Sequence, residues 1–435
     1  MALLLSFFSS FLSLIFSSAS SFLLSEHFIA ALAAILFLYS AYYFINKTLV
    51  IAFLLVIASI FTPSPVFAAF TPLSGNYYYI FFSILTLCML RVSWHALSKY
   101  TLLLSLSILL SIIPAIYWVD SKLLLLFLYL QIAFFIALSL RREYIYRYCK
   151  LASFFCLILL VGSFIGLIYV SIGGRELFSI VNEDGRSNGF YLTTFSNSFI
   201  VNTIRPSGIY DEPGTLSFIT CIVVALREEL NMPRKLSFAL LILGILTFSV
   251  SHLFFCVIYF TYCTTSYKNV VSYLASGSLI LALCLSTPIY ASLEFALFNR
   301  IQIVDGVFIA DNRSSLFFNS LNLLNSPTRI LFGLDSSCIT NVSACLSRGY
   351  PQFGDNPLAP LVLYGFFQSL PFYSFLAFLL YIAFKRKNLL VVAVIAICMV
   401  KNEFYSFGFT LILSIYTITL SQSIRKVQSL SSIDT

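Results

Sequence analysis

The densest group of reactive side chains in this 435-residue chain is Arg205-Pro206-Ser207-Gly208-Ile209-Tyr210-Asp211-Glu212-Pro213-Gly214. One guanidinium and two carboxylates fall within eight residues, and the apolar run 215–226 follows at once. A guanidinium presents a planar fork that grips phosphate oxygens in pairs and keeps its charge. A carboxylate a few residues on can take the proton from an attacking hydroxyl. Arg205 therefore suits a diphosphate leaving group, and Glu212 or Asp211 suits a sugar hydroxyl as nucleophile. Pro206, Gly208, Pro213 and Gly214 give a bent, non-helical entry to a helix starting near Ser207. The plainer reading is a helix cap, with Asp211 or Glu212 at the positive helix end.

The elements that must position these groups follow from composition. The chain is 60% hydrophobic and 10% charged, with 46 Phe, 26 Tyr and a mean hydropathy of +0.96. A soluble domain carries about 25% charged residues, so a soluble enzyme, a nucleic-acid-binding protein and a disordered chain are excluded. The expected fold is all-α: one polytopic integral membrane domain over residues 1–435. A spanning helix takes about 20 apolar residues. Runs of that kind cover 3–24, 28–45, 49–69, 77–90, 100–118, 123–140, 151–172, 207–226, 236–250, 252–266, 270–290, 357–384, 388–400 and 404–421. Four of them are short, so about 10–14 crossings are expected. The runs are continuous, without the alternation of a transmembrane barrel. The first lacks a basic start and a small-residue cleavage site, and reads as a retained helix.

Lys and Arg in short loops set the orientation. The clusters Arg141, Arg142, Arg147, Lys150; Arg227, Arg234, Lys235; Lys385, Arg386, Lys387; and Arg425, Lys426 should all be cytoplasmic, as should both termini. With every run crossing, 16 of the 25 basic residues lie inside and 13 of the 17 acids outside. The formal charge of +8 is then a topology signal and calls for no nucleic acid. Among basic residues in short outer loops, only Lys122 and Lys401 break the rule.

Two long outer segments interrupt the apolar pattern, 173–206 and 291–356. Structureless loops of such length are uncommon unless functional. Apolar stretches in them, such as Phe317, Phe318, Leu321, Leu323 and Leu324, suit short helices on the membrane surface. Their basic residues are all arginine: Arg175, Arg186 and Arg205, then Arg300, Arg313, Arg329 and Arg348. Arginines beside carboxylates on an outer face fit an anionic, lipid-linked substrate, with plain headgroup contact as the alternative. Eight of the ten cysteines fall in or beside apolar runs and read as small core fillers. Cys338 and Cys345, seven residues apart in an oxidising compartment, are candidates for a local disulfide. No Cys/His spacing resembles a metal site, and no cofactor is called for. The histidines, His27, His95 and His252, lie far in sequence from both loops.

The stretch R-P-S-G-I-Y-D-E-P-G-T resembles the Arg–Gly–aromatic–(Asp/Glu)–Glu–Pro–Gly signature of the Wzy O-antigen polymerases. Gly333, then Gly354-Asp355-Asn356-Pro357-Leu358, with Tyr364-Gly365, is similar to a Gly…(His/Asp)-Asn…Leu…(Tyr/Glu)-Gly pattern shared by those polymerases and the O-antigen ligases. Thr247-Phe248-Ser249 looks like the family's T-x-S break, though Val250-Ser251 replaces its usual Arg-Gly. The resemblance implies a GT-C-like fold with two large periplasmic loops in the bacterial inner membrane. It implies metal-independent transfer of an undecaprenyl-diphosphate-linked glycan onto a lipid-linked repeat unit, with a flippase and a chain-length regulator as partners. On that reading Arg205, helped by Arg313, Arg329 or Arg348, neutralises the leaving diphosphate. Glu212 or Asp211 is the base, and Asp355 is an alternative from the second loop. Gly208, Tyr210, Asn356 and Tyr364 would contact substrate.

Three other readings compete. An O-antigen ligase relies on a histidine in the second outer loop, and this loop has none. A lipid-linked oligosaccharide flippase would scatter charge through several helices, whereas here it gathers in two loops. A scaffold protein leaves the paired carboxylates beside an arginine unexplained.

Overall fold

In a computed structural model, the described residues are 47–65, 86, 112–113, 116–117, 121–181, 187–200, 203–263, 301–304, 307–310, 313–334, 349–351, 356–401 and 406–431. The apolar runs 3–24, 28–45, 77–90, 100–118 and 270–290 lie wholly or almost wholly outside them. The described chain is mostly helical. Its helices are α1 (Lys47–Val56, continued by a π turn Ile57–Phe61), α2 (Ser121–Ser139), α3 (Arg142–Ser171), α4 (Pro213–Glu229), α5 (Arg234–Gly244, ending in a 3-10 turn Ile245–Thr247) and α6 (Val250–Cys263). Then follow α7 (Arg313–Leu323), α8 (Pro327–Phe332), α9 (Ala359–Arg386), α10 (Leu389–Val400) and α11 (Phe407–Ser431). Two of these, α3 and α9, are long and apolar enough to cross a membrane.

Helix α4 is the centre of the bundle. Every residue from Thr215 to Arg227 is buried, as expected of a helix apolar on all sides. It packs against α3, α5, α6, α10 and α11, while α1 lies on α3 and α11 on α2. The charged groups of α4 and its N-cap sit at its two ends. At the far end, Arg227 is sunk in the core and donates to Ser153 Oγ (3.0 Å), Ser237 Oγ (2.9 Å) and the Pro233 carbonyl (2.7 Å). Glu228 pairs with Arg234 at 3.1 Å and accepts from Tyr259 at 2.6 Å. Glu229 meets Arg386 at 3.2 Å and Asn388 at 3.2 Å. Two of the basic clusters, that of Arg227 and Arg234 and that of Arg386, thus share one end of the bundle.

The first long loop departs from the all-α expectation. Instead of short helices it forms antiparallel strands: β1 (Phe178–Val181), β2 (Ser187–Tyr191) and β3 (Thr194–Ser196) in one sheet, with β4 (Phe199–Ile200) paired to β5 (Thr203–Ile204). Aromatic and β-branched residues dominate FYLTTF and FIVNTI, and such side chains fit a pleated surface better than a helix. The tip of the β2–β3 hairpin rests on α3 where Gly162 and Gly166 leave the backbone bare. The Thr193 hydroxyl donates to the Gly162 carbonyl at 2.6 Å, and a Cβ on Gly166 would stand 2.9 Å from the Tyr191 carbonyl. The second loop contains the hairpin β6 (Ile301–Val304) and β7 (Val307–Ala310), and then α7 and α8. There Phe317, Phe318 and Leu321 are exposed, while Leu323 is buried against Leu334, Ala359 and Val362.

Candidate functional site

The motif 205–214 does not start α4 at Ser207. Residues 205–212 are a folded turn, and the helix begins at Pro213, whose fixed φ suits the first helical position. The turn is tied on three sides. Gly208 bridges Phe195 of β3, its N–H donating to Thr194 Oγ1 at 2.9 Å. The Ser207 hydroxyl is shared between the Phe195 carbonyl (2.8 Å) and the Tyr210 carbonyl (2.6 Å). Tyr210 is fully buried and donates to the Ile60 carbonyl at 2.8 Å, while Ser64 Oγ donates to Ile209 O at 2.6 Å. Gly208 adopts φ +67°, a left-handed conformation that glycine takes without strain. Gly208 and Tyr210, expected to touch substrate, here fix the turn to α1 and β3.

That turn holds Arg205 and Glu212. Arg205 Nη2 donates to the Phe248 carbonyl at 3.3 Å. Phe248 ends the 3-10 turn after α5 with φ +52°, so the T-F-S break is a strained corner that aims its carbonyl at the guanidinium. Two stretches 43 residues apart thereby meet. Glu212 occupies the N-cap of α4 in an extended conformation, but its side chain makes no capping hydrogen bond. It reaches instead to Lys401, Nζ to Oε2 2.6 Å, with side-chain exposures of 33% for Glu212 and 10% for Lys401. The simple cap reading of Glu212 therefore does not hold. Asp211 lies beside it, half-buried.

Lys401 was not among the residues chosen from sequence. Its signal was visible all the same, as one of the two lysines that defy the positive-inside pattern. His252 was set aside for its distance along the chain, yet it packs under the same corner. Its Nε2 donates to the Leu241 carbonyl at 2.8 Å, which leaves Nδ1 to accept from Ser217 Oγ at 3.2 Å. Buried and engaged at both nitrogens, it pins the α5–α6 corner to α4. Gly244 makes room for it, since a Cβ there would run into the imidazole. A lone histidine in an apolar run carries no sequence mark of such a role.

The second motif forms a backbone crossing. Gly333 ends α8 at φ +75°, and Gly365 interrupts α9 at φ +68°, ψ 179°. The two backbones touch: a Cβ on Gly333 would stand 2.5 Å from the Leu363 carbonyl, and one on Gly365 would strike Gly333 N and stand 2.5 Å from Leu331 O. Leu334 N–H donates to the Val362 carbonyl at 2.9 Å across this crossing. Asn356 is buried, donating from Nδ2 to Ser320 Oγ (2.8 Å) and accepting the Leu358 N–H (2.9 Å), so it ties α7 to the start of α9. Tyr364, half-buried, packs against the main core. Arg329 donates to Asn325 Oδ1 at 3.2 Å and lies 5.6 Å from the centre of the Tyr350 ring. Arg313 is the first residue of α7. Asp355, Arg348, Cys338 and Cys345 lie outside the described residues. The six described cysteines, Cys149, Cys156, Cys221, Cys256, Cys263 and Cys398, are all free and buried.

The turn 205–212 thus carries Arg205, held by the Phe248 carbonyl just before α6, and Glu212, which joins the N-terminus of α4 to Lys401 at the C-terminus of α10, with Asp211 adjacent. Comparison with family models, curated proteins and solved structures yields no match.

Proposed function

We propose that this chain is a polytopic membrane glycosyltransferase of the O-antigen polymerase type, acting at the periplasmic face of the bacterial inner membrane. The observation that carries the reading is that one folded turn, residues 205–212, brings Arg205 to the Phe248 carbonyl and Glu212 to Lys401. Each of these stretches stands out in the sequence for phosphate or proton chemistry, for its break between helices or as a topological exception.

Two further features support a bilayer setting. Exposed Phe154, Ile158, Val161, Ile165, Ile168 and Ile172 line α3 over about 27 Å, close to the hydrocarbon thickness of a membrane. Between Asn388 and Lys401, α10 is apolar for about 20 Å, so the two charged ends of the bundle are separated by purely apolar chain. The end bearing Arg227, Arg234 and Arg386 faces the cytoplasm in this scheme. The Arg205–Glu212 turn then opens outward, somewhat below the outer surface, at the depth of a lipid-linked diphosphate.

The chemistry follows from the groups present. The acceptor's terminal hydroxyl oxygen attacks the anomeric carbon of the donor glycan. The bond from that carbon to the diphosphate oxygen breaks, and undecaprenyl diphosphate departs with the electron pair. Glu212, with Asp211 or Asp355 as alternatives, receives the hydroxyl proton. Arg205 and Lys401 neutralise charge growing on the leaving group, the electrostatic contribution that usually dominates such sites. Lys401 also pairs with the Glu212 side chain until substrate competes for the ammonium. Arg313, Arg329 and Arg348 of the second loop are the further arginines available to the anionic lipid in this scheme.

The test is a lipopolysaccharide gel. Arg205→Ala and Glu212→Gln should each turn a ladder of lengths into core plus one repeat unit, with the protein still in the membrane. A normal ladder from both variants removes this site. Core with no repeat, in a deletion strain, assigns the chain to ligation or flipping.

A further inference from the structure

The first long loop buries many polar side chains and bares several large apolar ones, an unusual distribution for an element bathed in water. Asn188, Thr194, Ser196, Thr203 and Ser207 are buried, beside the apolar Tyr191, Phe195 and Ile204. Leu177, Val181, Leu192 and Phe199 are exposed at 54%, 67%, 46% and 62%, while the charged Arg175 and Glu176 at the start of the loop are exposed as well. A soluble β-meander shows the reverse alternation, with its polar face to solvent.

Its position agrees. The hairpin tip touches Gly162, nine residues before the end of α3, which is about 14 Å below that end. At the same level α3 exposes Val161, Phe164 and Ile165, part of its own apolar stripe. Hydroxyls tie the hairpin to its surroundings. Thr193 donates to Gly162 O of α3, the Ser196 hydroxyl lies 2.8 Å from Arg205 O, and the hairpin's own Phe195 carbonyl accepts from Ser207. Irregular backbone at hydrocarbon depth is tolerated only when its polar groups are satisfied from within the protein.

The tip residue is the sharpest sign. Leu192 adopts φ +61°, a turn position that glycine or asparagine normally fills. An exposed leucine there bears both strain and, in water, the cost of bare apolar surface. In lipid the second cost disappears.

We infer that the β2–β3 hairpin, together with the adjoining β4, is not a periplasmic loop but a re-entrant wedge, with Leu192 of the hairpin tip and Phe199 of β4 packed against acyl chains of the outer leaflet. The wedge rests on the bilayer reading of the helices, though not on the sugar chemistry. It carries the site's turn through the Phe195–Gly208 bridge, so a polyprenyl tail can approach that turn sideways through the leaflet.

The experiment places one tryptophan at a time in the full chain, with Trp94 and Trp118 replaced by Phe. Leu192→Trp and Phe199→Trp are compared with Val161→Trp on α3, in phosphatidylcholine vesicles whose acyl chains are brominated mid-chain. Emission from all three should fall at least twofold relative to unbrominated vesicles and resist aqueous iodide. Quenching at 161 but at neither 192 nor 199 overturns the wedge and leaves the bilayer reading standing. Iodide quenching without bromolipid quenching at all three positions removes both.

Discussion

The Lys401–Glu212 pair offers a quantitative check on the site. A fully buried ion pair loses about 3–5 kcal/mol when one partner is removed, and an exposed pair at most about 1 kcal/mol. Exposures of 10% and 33% place this one between those limits. Glu212→Gln takes the carboxylate from an ammonium only 10% exposed and should cost about 2 kcal/mol, the scale of a charged hydrogen bond. Lys401→Met should cost less, about 1 kcal/mol, because the freed carboxylate still reaches water. The double variant removes both the charge and its partner, so the coupling between the two should be about 1–2 kcal/mol. Thermal unfolding of all four proteins in detergent micelles reads these differences. Effects that add to within about 0.5 kcal/mol would refute the pairing as an energetic link.

Two other substitutions test the frame. Gly365→Ala pushes a methyl into Gly333 N and Leu331 O and should abolish accumulation of folded protein, whereas Gly214→Ala, with nothing within 4 Å, should keep normal yield and gain up to about 1 kcal/mol; equal behaviour of the two would contradict the backbone crossing. Arg227→Lys keeps the charge but cannot serve Ser153, Ser237 and Pro233 together, so each partner left unmade should cost about 1–3 kcal/mol. An unchanged melting temperature would show that the fork geometry is dispensable.

Where apolar runs are continuous and bounded by charged or polar residues, the sequence located helices well, even at the short run 388–400. The run 357–384 became α9 over Ala359–Arg386, and 388–400 became α10 over Leu389–Val400. The start of α4 was misread by six residues, because hydropathy counts Ile209 and Tyr210 as helix while Pro213 decides where the helix can open. Strands in the first loop were signalled by Phe, Tyr, Thr and Ile packed between Ser and Asn, a pattern overlooked beside the helical background. Arg205 and Glu212 were legible from charge placed at the edge of an apolar run. The contacts they make were not, since Phe248 and Lys401 reach them only through tertiary packing. Nothing in the sequence marks Phe248 as left-handed.

Helix α10 is anchored at both ends to the same partner: Asn388 holds Glu229 at one end of α4, and Lys401 holds Glu212 at the other. It therefore acts as a ruler. Deleting one residue anywhere in 389–400 would shorten the span by about 1.5 Å and rotate its end by about 100°, swinging the ammonium off the carboxylate. Side-chain volume along this interval is limited by packing, because seven of its residues are buried, and the number of residues is fixed by the distance between two acids on a neighbouring helix.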